Sequence, residues 1–431
     1  MPPSRIAPER FGRRALESNP ATSAEAVVVR TACLEPGADA EISTVMSELA
    51  ARLDRTTRRP PEFLSLHHAS HWKPEALRAA AATLWPGVAL HGGTSCCGVM
   101  SEGGTATVSG TGLGGFALWD RDGDFGSAAR PIGDCPRSAA LAATEAALEA
   151  AGRTGESPDL VWLTAAPGSE EAVLAGVEEI VGAGTPIIGG SAADNEIAGT
   201  WGCFDAEAAY GSGVAVSVLF PSRPVHIAFQ NGYAPAGPIA RVTEAQDRRI
   251  VSIDGRPAAD VYAGWVGGPL ADAVARARSG GSEVSILAES TFAPLGRSEG
   301  AVADVPMYLL AHPAAAHPDG SLSLFARVAA GETLHLMQGS ADSLVARAGR
   351  VARSAAESAA PGEPIAGALT VYCGGCMLAV RPRMAEVVAG ISEGLSNAPF
   401  FGLFSFGEQG PGPSGGSRHG NLMISTVVFS A

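Results

Sequence analysis

Apolar and polar residues follow two periods along the first half of this chain, one typical of helices and one typical of buried strands. Helical spacing predicts helices at residues 42–53, 75–84, 138–151 and 170–181. Short apolar runs predict strands at residues 26–32, 63–66, 160–164 and 211–220. Because helices and strands alternate, the pattern indicates an α/β layer arrangement.

Three further strands end on glycines, at residues 86–95 (PGVALHGGTS), 185–194 (TPIIGGSAAD) and 398–408 (APFFGLFSFGE). A buried strand that ends on glycines leaves backbone N–H groups free and brings no side chain to cover them. Open α/β sheets usually bind ligands at strand ends. We therefore expect these three ends to surround a shared ligand pocket.

Prolines cluster at residues 221–236 and predict a domain boundary there. Beyond it, the pattern predicts strands at residues 241–246, 249–253, 305–311, 322–328, 333–337, 366–372 and 422–429, and helices at 341–355 and 384–396. Residues 410–420 are nearly all Gly, Pro and Ser, which predicts a mobile loop or a backbone nest. The fold class predicted is α/β (α+β), with mixed sheets covered by helices. We expect a flexible arm (residues 1–24) and two domains (25–225 and 226–431).

Composition narrows the classes of function. The formal net charge is −14, which is the wrong sign for binding nucleic acid or an anionic membrane surface. Lys73 is the only lysine, so most lysine chemistry is excluded. The chain has no secretory signal pattern and no run of about 18 apolar residues. Seven cysteines, an odd number, favour free thiols in the cytoplasm.

Cys96 is the candidate nucleophile, with Ser95 as its alternative. Cys96 follows a strand end, where backbone N–H groups can lower a thiol pKa or hold an oxyanion. His91 and the histidines at positions 67, 68 and 71 are near in sequence, so a Cys–His pair is conceivable. The alternative is that Cys96 and Cys97 are small core residues, since free cysteine is often buried.

Cys373 and Cys376 form a CxxC motif after a predicted strand. Such a motif can be a redox pair, half of a zinc site, or two packed thiols. A redox pair of the thioredoxin type should begin a helix, but here an apolar run continues and then meets Pro382. We therefore favour ordinary packing of these two thiols.

Two carboxylates at strand ends are candidate ligand contacts. Glu408 follows Gly407 and Asp194 follows the second glycine pair, so either can hold a ligand's ammonium group. The alternative for Asp194 is a turn or helix-capping acceptor. Arg381 can pair with Glu408 or with a ligand carboxylate, or it can lie at the surface. Asn421 follows the glycine-rich segment and is a further candidate ligand contact. The predicted ligand-binding set is Gly92, Gly93, Thr94, Ser95, Gly189, Gly190, Ser191, Asp194, Cys373, Arg381, Glu408 and Asn421.

The same motifs resemble the FIST proteins, which pair an N-terminal and a C-terminal FIST domain. The matching segments are residues 90–95, 187–194, 210–214, 242–245, 253–262 and 401–408. The resemblance implies an intracellular sensory module that binds small ligands, with amino acids one suggestion. Some relatives resemble haem-based nitric oxide sensors. Because no output domain follows here, the resemblance implies a separate signalling partner.

The sequence therefore predicts a cytoplasmic sensor or binding protein with a pocket between its two halves for a small polar, amino-acid-like ligand. We expect no cofactor, no nucleic acid and no membrane partner. Two alternatives stay open: an enzyme that uses Cys96 or Ser95, and a haem- or metal-based sensor, for which an axial His or Cys would be needed.

Overall fold

A computed structural model of the chain describes residues 26–54, 59–103, 105–302, 305–413 and 415–431. The predicted arm, residues 1–24, lies outside the described residues. Helices and strands alternate through the rest, and several mixed sheets are covered by helices, which confirms the α/β class. The same order of elements occurs three times along the chain, and we refer to the three segments as repeats.

The first repeat covers residues 28–119. Its elements are β1 (Val28–Leu34), α1 (Ile42–Leu53), β2 (Phe63–His68), α2 (Pro74–Leu84), β3 (Ala89–Thr94), β4 (Val99–Ser101), β5 (Thr105–Thr107) and β6 (Leu113–Trp119).

The second repeat covers residues 124–220 in the same order. Its elements are β7 (Asp124–Pro131), α3 (Pro136–Ala150), β8 (Leu160–Ala165), α4 (Glu170–Val181), β9 (Ile187–Ser191), β10 (Cys203–Phe204), β11 (Ala209–Tyr210) and β12 (Gly213–Phe220).

The third repeat begins with β13 (Val225–Asn231) and is then interrupted by residues 234–338, which we call the insertion. The insertion contains β14 (Ala234–Gln246), β15 (Arg249–Ile253), β16 (Arg256–Pro257), α5 (Ala258–Val266), α6 (Gly268–Gly280), β17 (Val284–Ser285), α7 (Leu287–Ser290), β18 (Leu295–Val302), β19 (Val305–Ala311), β20 (Pro313–Ala316), β21 (Leu322–Leu324) and β22 (Thr333–Gln338).

The third repeat then resumes with its helices, its parallel strands and its hairpin. These elements are α8 (Ala341–Ala356), β23 (Ile365–Cys373), α9 (Gly374–Val380), a 3-10 turn (Arg381–Arg383), α10 (Met384–Gly394), β24 (Phe400–Ser405), β25 (Glu408–Pro411), β26 (Ser417–Gly420) and β27 (Met423–Ser430).

Each repeat forms one six-stranded sheet, and the sheets share one strand order. The orders are β1-β6-β2-β3-β10-β11, β7-β12-β8-β9-β25-β26 and β13-β27-β23-β24-β4-β5. In each sheet the two central strands pair in parallel, and every other pair of neighbouring strands is antiparallel. The last two strands of every sheet are a hairpin from another repeat. The three repeats are therefore interlocked by a cyclic exchange of hairpins.

The glycine-ended strands β3, β9 and β24 are the strands that receive these hairpins. Gly93 pairs with Cys203, Gly190 pairs with Glu408, and Gly402 pairs with Met100. A Cβ on Gly92 would lie 2.0 Å from the Phe204 ring. The glycines are needed here because chain from a second repeat packs directly on the strand.

Side chains from all three sheets meet in a shared core, which includes Phe63, Trp162, Ile188, Leu369 and Phe401. The insertion has its own core under its own nine-stranded sheet, whose path is β17-β20-β21-β15-β14-β22-β18-β19 with β16 beside β15. The molecule therefore consists of a three-sheet body and an insertion that packs on it. The predicted boundary between residues 225 and 226 lies at the start of β13, and the exchanged hairpins cross it.

Two predictions about the third repeat are wrong. The whole of residues 410–420 is predicted as a loop or nest, but residues 410–411 and 417–420 belong to the strands β25 and β26, which extend the sheet of β9, and the described residues between them form the turn. A small residue is needed there, because a Cβ on Gly410 would lie 2.2 Å from the Phe229 ring. The prediction that no helix follows Cys373 is also wrong, since α9 begins at Gly374.

Candidate functional site

A cavity of about 640 Å³ lies between the body and the insertion. The body supplies the segments that follow β8, β9, β23 and β24, so the cavity is at the carboxyl ends of parallel strands, where α/β proteins commonly bind ligands. The lining residues are Pro167, Gly168, Glu170, Ile197, Trp201, Arg248, Leu287, Ala288, Thr291, Phe292, His312, Leu324, Phe325, Cys373, Gly375, Leu378, Ala379, Phe406 and Asn421.

Most of the cavity wall is apolar. Trp201 and Phe406 meet edge to face, with their ring centroids 6.4 Å apart. Ile197 and Leu378 also line the cavity, and they are 47% and 42% exposed. Large apolar side chains that stay exposed beside a concave site are typical of ligand-binding surfaces. The cavity is therefore suited to a molecule with a substantial apolar part.

Asn421 is the polar group of the wall whose hydrogen bonds are incomplete. The residue is 2% exposed, and its Oδ1 accepts a hydrogen bond from the His312 backbone N–H at 3.0 Å. That donor fixes the orientation of the amide, so Nδ2 is the other terminal atom. Nδ2 is buried and has no hydrogen-bond partner among the described residues. A buried donor without a partner is costly, and a ligand acceptor in the cavity would satisfy it.

His312 is a second buried polar residue of the wall. Burial lowers the pKa of its imidazole to about 4, so the ring is neutral at neutral pH. Its Nε2 lies 3.5 Å from the Thr291 Oγ1, and its ring centroid lies 5.9 Å from that of Phe325. His312 therefore contributes a neutral, polarisable face rather than a positive charge.

Glu170 and Arg248 form an ion pair that joins the body to the insertion beside the cavity. Arg248 Nη2 lies 2.5 Å from Glu170 Oε2 and 2.6 Å from Glu171 Oε2. Glu170 Oε1 also accepts a hydrogen bond from the Ser191 hydroxyl at 2.6 Å. Burial raises the pKa of Glu171, but the charges of His419 and Arg248 outweigh it and lower that pKa to about 2. Both carboxylates are thus ionised and already paired.

The strand-end amides, predicted to be free for a ligand, are instead used between the repeats. The Cys96 N–H donates to the Phe404 carbonyl at 2.9 Å, the Ser191 N–H to the Gly407 carbonyl at 2.7 Å, and the Ala193 N–H to the Thr94 carbonyl at 3.1 Å. The three strand ends do lie together, as expected, but they form a junction that is stabilised by its own hydrogen bonds. Their predicted role as bare donors is wrong.

Two of the twelve residues in the predicted ligand-binding set, Cys373 and Asn421, line the cavity. Gly92, Gly93, Gly189 and Gly190 lie under the exchanged hairpins, where a Cβ would meet atoms of neighbouring strands. Thr94 bonds Gly202, Ser95 donates to the Gly98 carbonyl, and Ser191 donates to Glu170. Arg381 donates to the Val108 carbonyl. None of these residues lines the cavity described above, and their contact with a ligand stays a prediction.

Asp194 has the contacts of a turn-forming residue. Its carboxylate accepts hydrogen bonds from the backbone N–H groups of Ile197, Ala198 and Thr200 at 2.5, 2.8 and 2.9 Å. These bonds order the loop that carries Ile197 and Trp201 into the cavity wall. Asp194 therefore acts on the cavity through the position of this loop.

Glu408 lies inside the junction and does not reach the cavity. It is fully buried, and its carboxyl group accepts hydrogen bonds from the Ser405 hydroxyl at 2.6 Å and the Met423 N–H at 2.8 Å. Burial raises its pKa well above the usual value, and the nearby Cys373 adds to that effect. Glu408 is therefore suited to be a neutral acid, unlike the ammonium-binding carboxylate that the sequence suggests.

The cysteine pair at the first strand end is buried in the same junction. Cys96 donates its thiol hydrogen to Cys97 Sγ at 3.9 Å. This hydrogen bond and burial raise the pKa of Cys96, whereas the same hydrogen bond lowers the pKa of Cys97 to about 7. His91 contacts Ser217 and Thr164, each at 2.9 Å. Within the described chain, no histidine is hydrogen-bonded to either cysteine.

Sequence reasoning missed most of the cavity wall, because the insertion carries much of it. Thr291 and His312 lie outside the predicted elements, and Phe325 lies in the predicted strand at residues 322–328, where nothing in the sequence marks it as a site residue. Glu170 was visible only as the first residue of a predicted helix. Its pairing with Arg248 depends on how the insertion packs on the body, and the sequence around Glu170 does not indicate this packing.

The helices of the described residues include none that is long and apolar enough to cross a membrane. No three His, Cys, Asp or Glu side chains in the described ranges are arranged to hold a metal ion.

Comparisons with known proteins place the chain in a family. No curated protein matches it. A crystal structure of cyanuric acid hydrolase from A. caulinodans is 10% identical, with a TM-score of 0.35, covering 94% of this chain and 100% of that one. Such a likeness is too weak to support an argument. The FIST N domain matches residues 63–256 and the FIST C domain matches residues 258–411. These two domains cover most of the chain, which therefore belongs to the FIST family.

Proposed function

We propose that this protein is a small-ligand sensor whose ligand binds in the cavity between the body and the insertion. FIST domains are generally sensory domains that bind small ligands in signal transduction. The observation that carries the proposal is the unpartnered Nδ2 of Asn421 in the wall of a cavity of about 640 Å³.

The chemistry of the wall favours a ligand with an apolar body and one oxygen acceptor. The acceptor, a carbonyl or carboxylate oxygen, would take the hydrogen bond of Asn421 Nδ2. Trp201, Phe406 and Leu378 would cover the apolar body. The walls thus have a small number of polar groups on a hydrophobic surface, which is the usual make-up of small-molecule sites.

A free amino acid is less well matched to this cavity. An ammonium group needs a carboxylate or several carbonyl groups as partners. The carboxylate of the wall belongs to Glu170, and it is already paired with Arg248. The sequence-based expectation of an amino-acid-like ligand is therefore narrowed to ligands without a free ammonium group.

Ligand binding between the body and the insertion would change how firmly these two parts pack. We propose that a separate signalling partner responds to this change. We also propose that the protein works in the cytoplasm, where its seven free cysteines would stay reduced.

The test is a thermal-shift and calorimetry screen of aliphatic carboxylates, aromatic ketones and free amino acids. We expect binders among the first two classes and none among free amino acids. Asn421→Asp keeps the acceptor for the His312 N–H and removes the donor. It should weaken binding by at least about tenfold, the value of one lost hydrogen bond.

A cavity-filling variant provides an independent check. Ala379→Trp places a large ring in the cavity and should abolish binding of every hit. Ala346→Trp is the matched control, because Ala346 is exposed on α8, away from the cavity wall. Hits that bind Ala379→Trp as tightly as the unsubstituted protein would contradict the proposed site.

A further inference from the structure

A second concave site lies where the insertion meets α8, and it shares no lining residue with the cavity. This groove has a volume of about 640 Å³. Its walls come from the end of β13, from strands of the insertion and from the first three turns of α8. The lining residues are Gln230, Asn231, Gly232, Tyr233, Ala234, Pro235, Pro306, Met307, Tyr308, Gln338, Gly339, Ser340, Ser343, Arg347 and Arg350.

The groove is positively charged in a protein with a net charge of −14. Arg347 and Arg350 lie three residues apart on α8, so both side chains project from one face of the helix. The lining contains no Asp or Glu. Neither arginine forms an ion pair with the part of the chain that the structure describes. The groove therefore holds two positive charges without counter-charges.

Two other arginines at or beside α8 are paired with carboxylates. Arg353, one turn further along α8, pairs with Glu393 at 2.9 Å. Arg383 pairs with Asp342 at 2.5 Å and Glu386 at 2.8 Å. Arg353 and Arg383 thus have carboxylate partners, whereas the lining of the groove offers none to Arg347 and Arg350.

Arg347 is the more buried of the two, and its guanidinium is incompletely bonded. One Nη2 hydrogen bond goes to the Gln230 side-chain oxygen. The Nε atom is buried and has no hydrogen-bond partner among the described residues. Burial lowers the pKa of Arg347, and the charge of Arg350 lowers it further. Burying an unpaired charge is costly, and an anion bound beside it would offset that cost.

We propose that this groove binds a small organic anion that bears a phosphate or a carboxylate group. Arg347 and Arg350 would hold the anionic group, since the planar guanidinium matches the oxygens of both groups. The rest of the groove has room for an organic part, which the rings of Tyr308 and Pro235 would flank. The site is separate from the sensor cavity, and it does not depend on the function proposed for that cavity.

Phenyl phosphate and inorganic phosphate are the probes for this site. Calorimetry on the full chain, at constant ionic strength set with chloride, should detect binding of phenyl phosphate and weaker binding of inorganic phosphate. Arg347→Gln and Arg350→Gln should each weaken phenyl phosphate binding by at least about tenfold. Arg350 is exposed, so Arg350→Gln should fold normally even if Arg347→Gln does not.

Arg353→Gln is the matched control, because it removes the same charge from the same helix at a position already paired with Glu393. It should change the affinity by less than about twofold. The proposal is overturned if neither probe binds, or if Arg353→Gln weakens binding as much as Arg350→Gln does. The second outcome would mean that the probes respond only to the overall charge of the protein.

Discussion

Asn421 and Glu408 are both buried polar side chains near the end of the chain, but they differ in what surrounds them. Glu408 has hydrogen-bond partners in Ser405 and Met423 and lies within the junction. Asn421, which lines the cavity, accepts a hydrogen bond from the His312 N–H at Oδ1, and its Nδ2 has no partner among the described residues. The incomplete set of hydrogen bonds, and not the residue type, distinguishes the candidate ligand contact.

Cys97, and not Cys96, is the thiol of the junction that we expect to react. Cys135 is exposed and should be alkylated first. In a Cys135→Ser background, iodoacetamide should label Cys97 faster than Cys96, because the hydrogen bond from Cys96 lowers the pKa of the Cys97 thiol. Cys96 and Cys373 should stay unlabelled in the native protein, because hydrogen bonding and burial raise the pKa of both.

Peptide mapping by mass spectrometry over pH 5 to 9 measures these rates. Labelling of Cys96 ahead of Cys97 would contradict the expected order. It would also restore the hypothesis that Cys96 is a catalytic nucleophile.

At the scale of elements, the three glycine-ended strands are docking edges for hairpins of other repeats. Gly189 shows why a side chain is excluded, because a Cβ there would lie 1.9 Å from the Leu163 carbonyl oxygen on the neighbouring strand. Backbone cannot move aside as a side chain can, so the strand pair β8–β9 would have to separate. The exchanged hairpin β25–β26 depends on the same strand.

Gly189→Ala should therefore destabilise the whole protein, by about 3 kcal/mol, the upper range for overpacking a tight site. Gly184→Ala is the control, since Gly184 precedes the same strand and a Cβ there meets nothing within 4 Å. Urea unfolding of both variants gives the two free energies. Equal stability of the two variants would show that the strand junction is looser than the contacts indicate.

At the scale of the whole molecule, the cavity exists because the insertion is held against the body. Arg248 of the insertion reaches Glu170 and Glu171 at the start of α4. The Arg327 N–H adds a hydrogen bond to Glu171 Oε1 at 2.9 Å. These contacts form one edge of the cavity, so a sensor that opens and closes would have to work against them.

Arg248→Gln should loosen the insertion from the body. The substitution leaves the buried Glu170 carboxylate without its cation and should lower the free energy of unfolding by about 2–3 kcal/mol. This is less than expected for a fully buried ion pair, because Arg248 is partly exposed. Hydrogen exchange should rise in β15, β21 and the start of α4. Arg249→Gln is the control, because Arg249 pairs with Asp319 within the insertion at 2.8 Å.

Unchanged hydrogen exchange in Arg248→Gln would contradict this role of the ion pair. The contribution also has a pH signature, because the folded-state pKa of Glu170 and Glu171 lies below the unfolded value. Their stabilisation is present above the ordinary glutamate pKa and is lost as pH falls below it. Arg248→Gln should flatten this part of the stability profile.

The local spacing of apolar residues predicted helices well where the helical period is clear. The helix α4 has the predicted bounds, and so does α1. The prediction was wrong for residues 410–420, because glycine content was taken as a sign of a loop. Gly410 instead allows the hairpin to lie against the Phe229 ring. Close packing between distant segments has no local signal.

The candidate site was predicted only in part for a related reason. Of the predicted residues, Cys373 and Asn421 line the cavity. Trp201, His312 and Phe325 were missed, because their relevance depends on which loops the insertion brings to the body. Of the predicted strand-end residues, Thr94 and Ser191 form backbone hydrogen bonds to the other strand ends, whereas Asp194 accepts hydrogen bonds from its own loop.

The sequence by itself determined the α/β class, most element positions, the FIST resemblance and the fact that three glycine-ended strands matter, because periodicity and small residues act over a few neighbours. Only the tertiary structure decided what those strands do. Hydrogen bonds between distant chain segments use their amides, and among the described residues the buried Nδ2 of Asn421 is left without a partner.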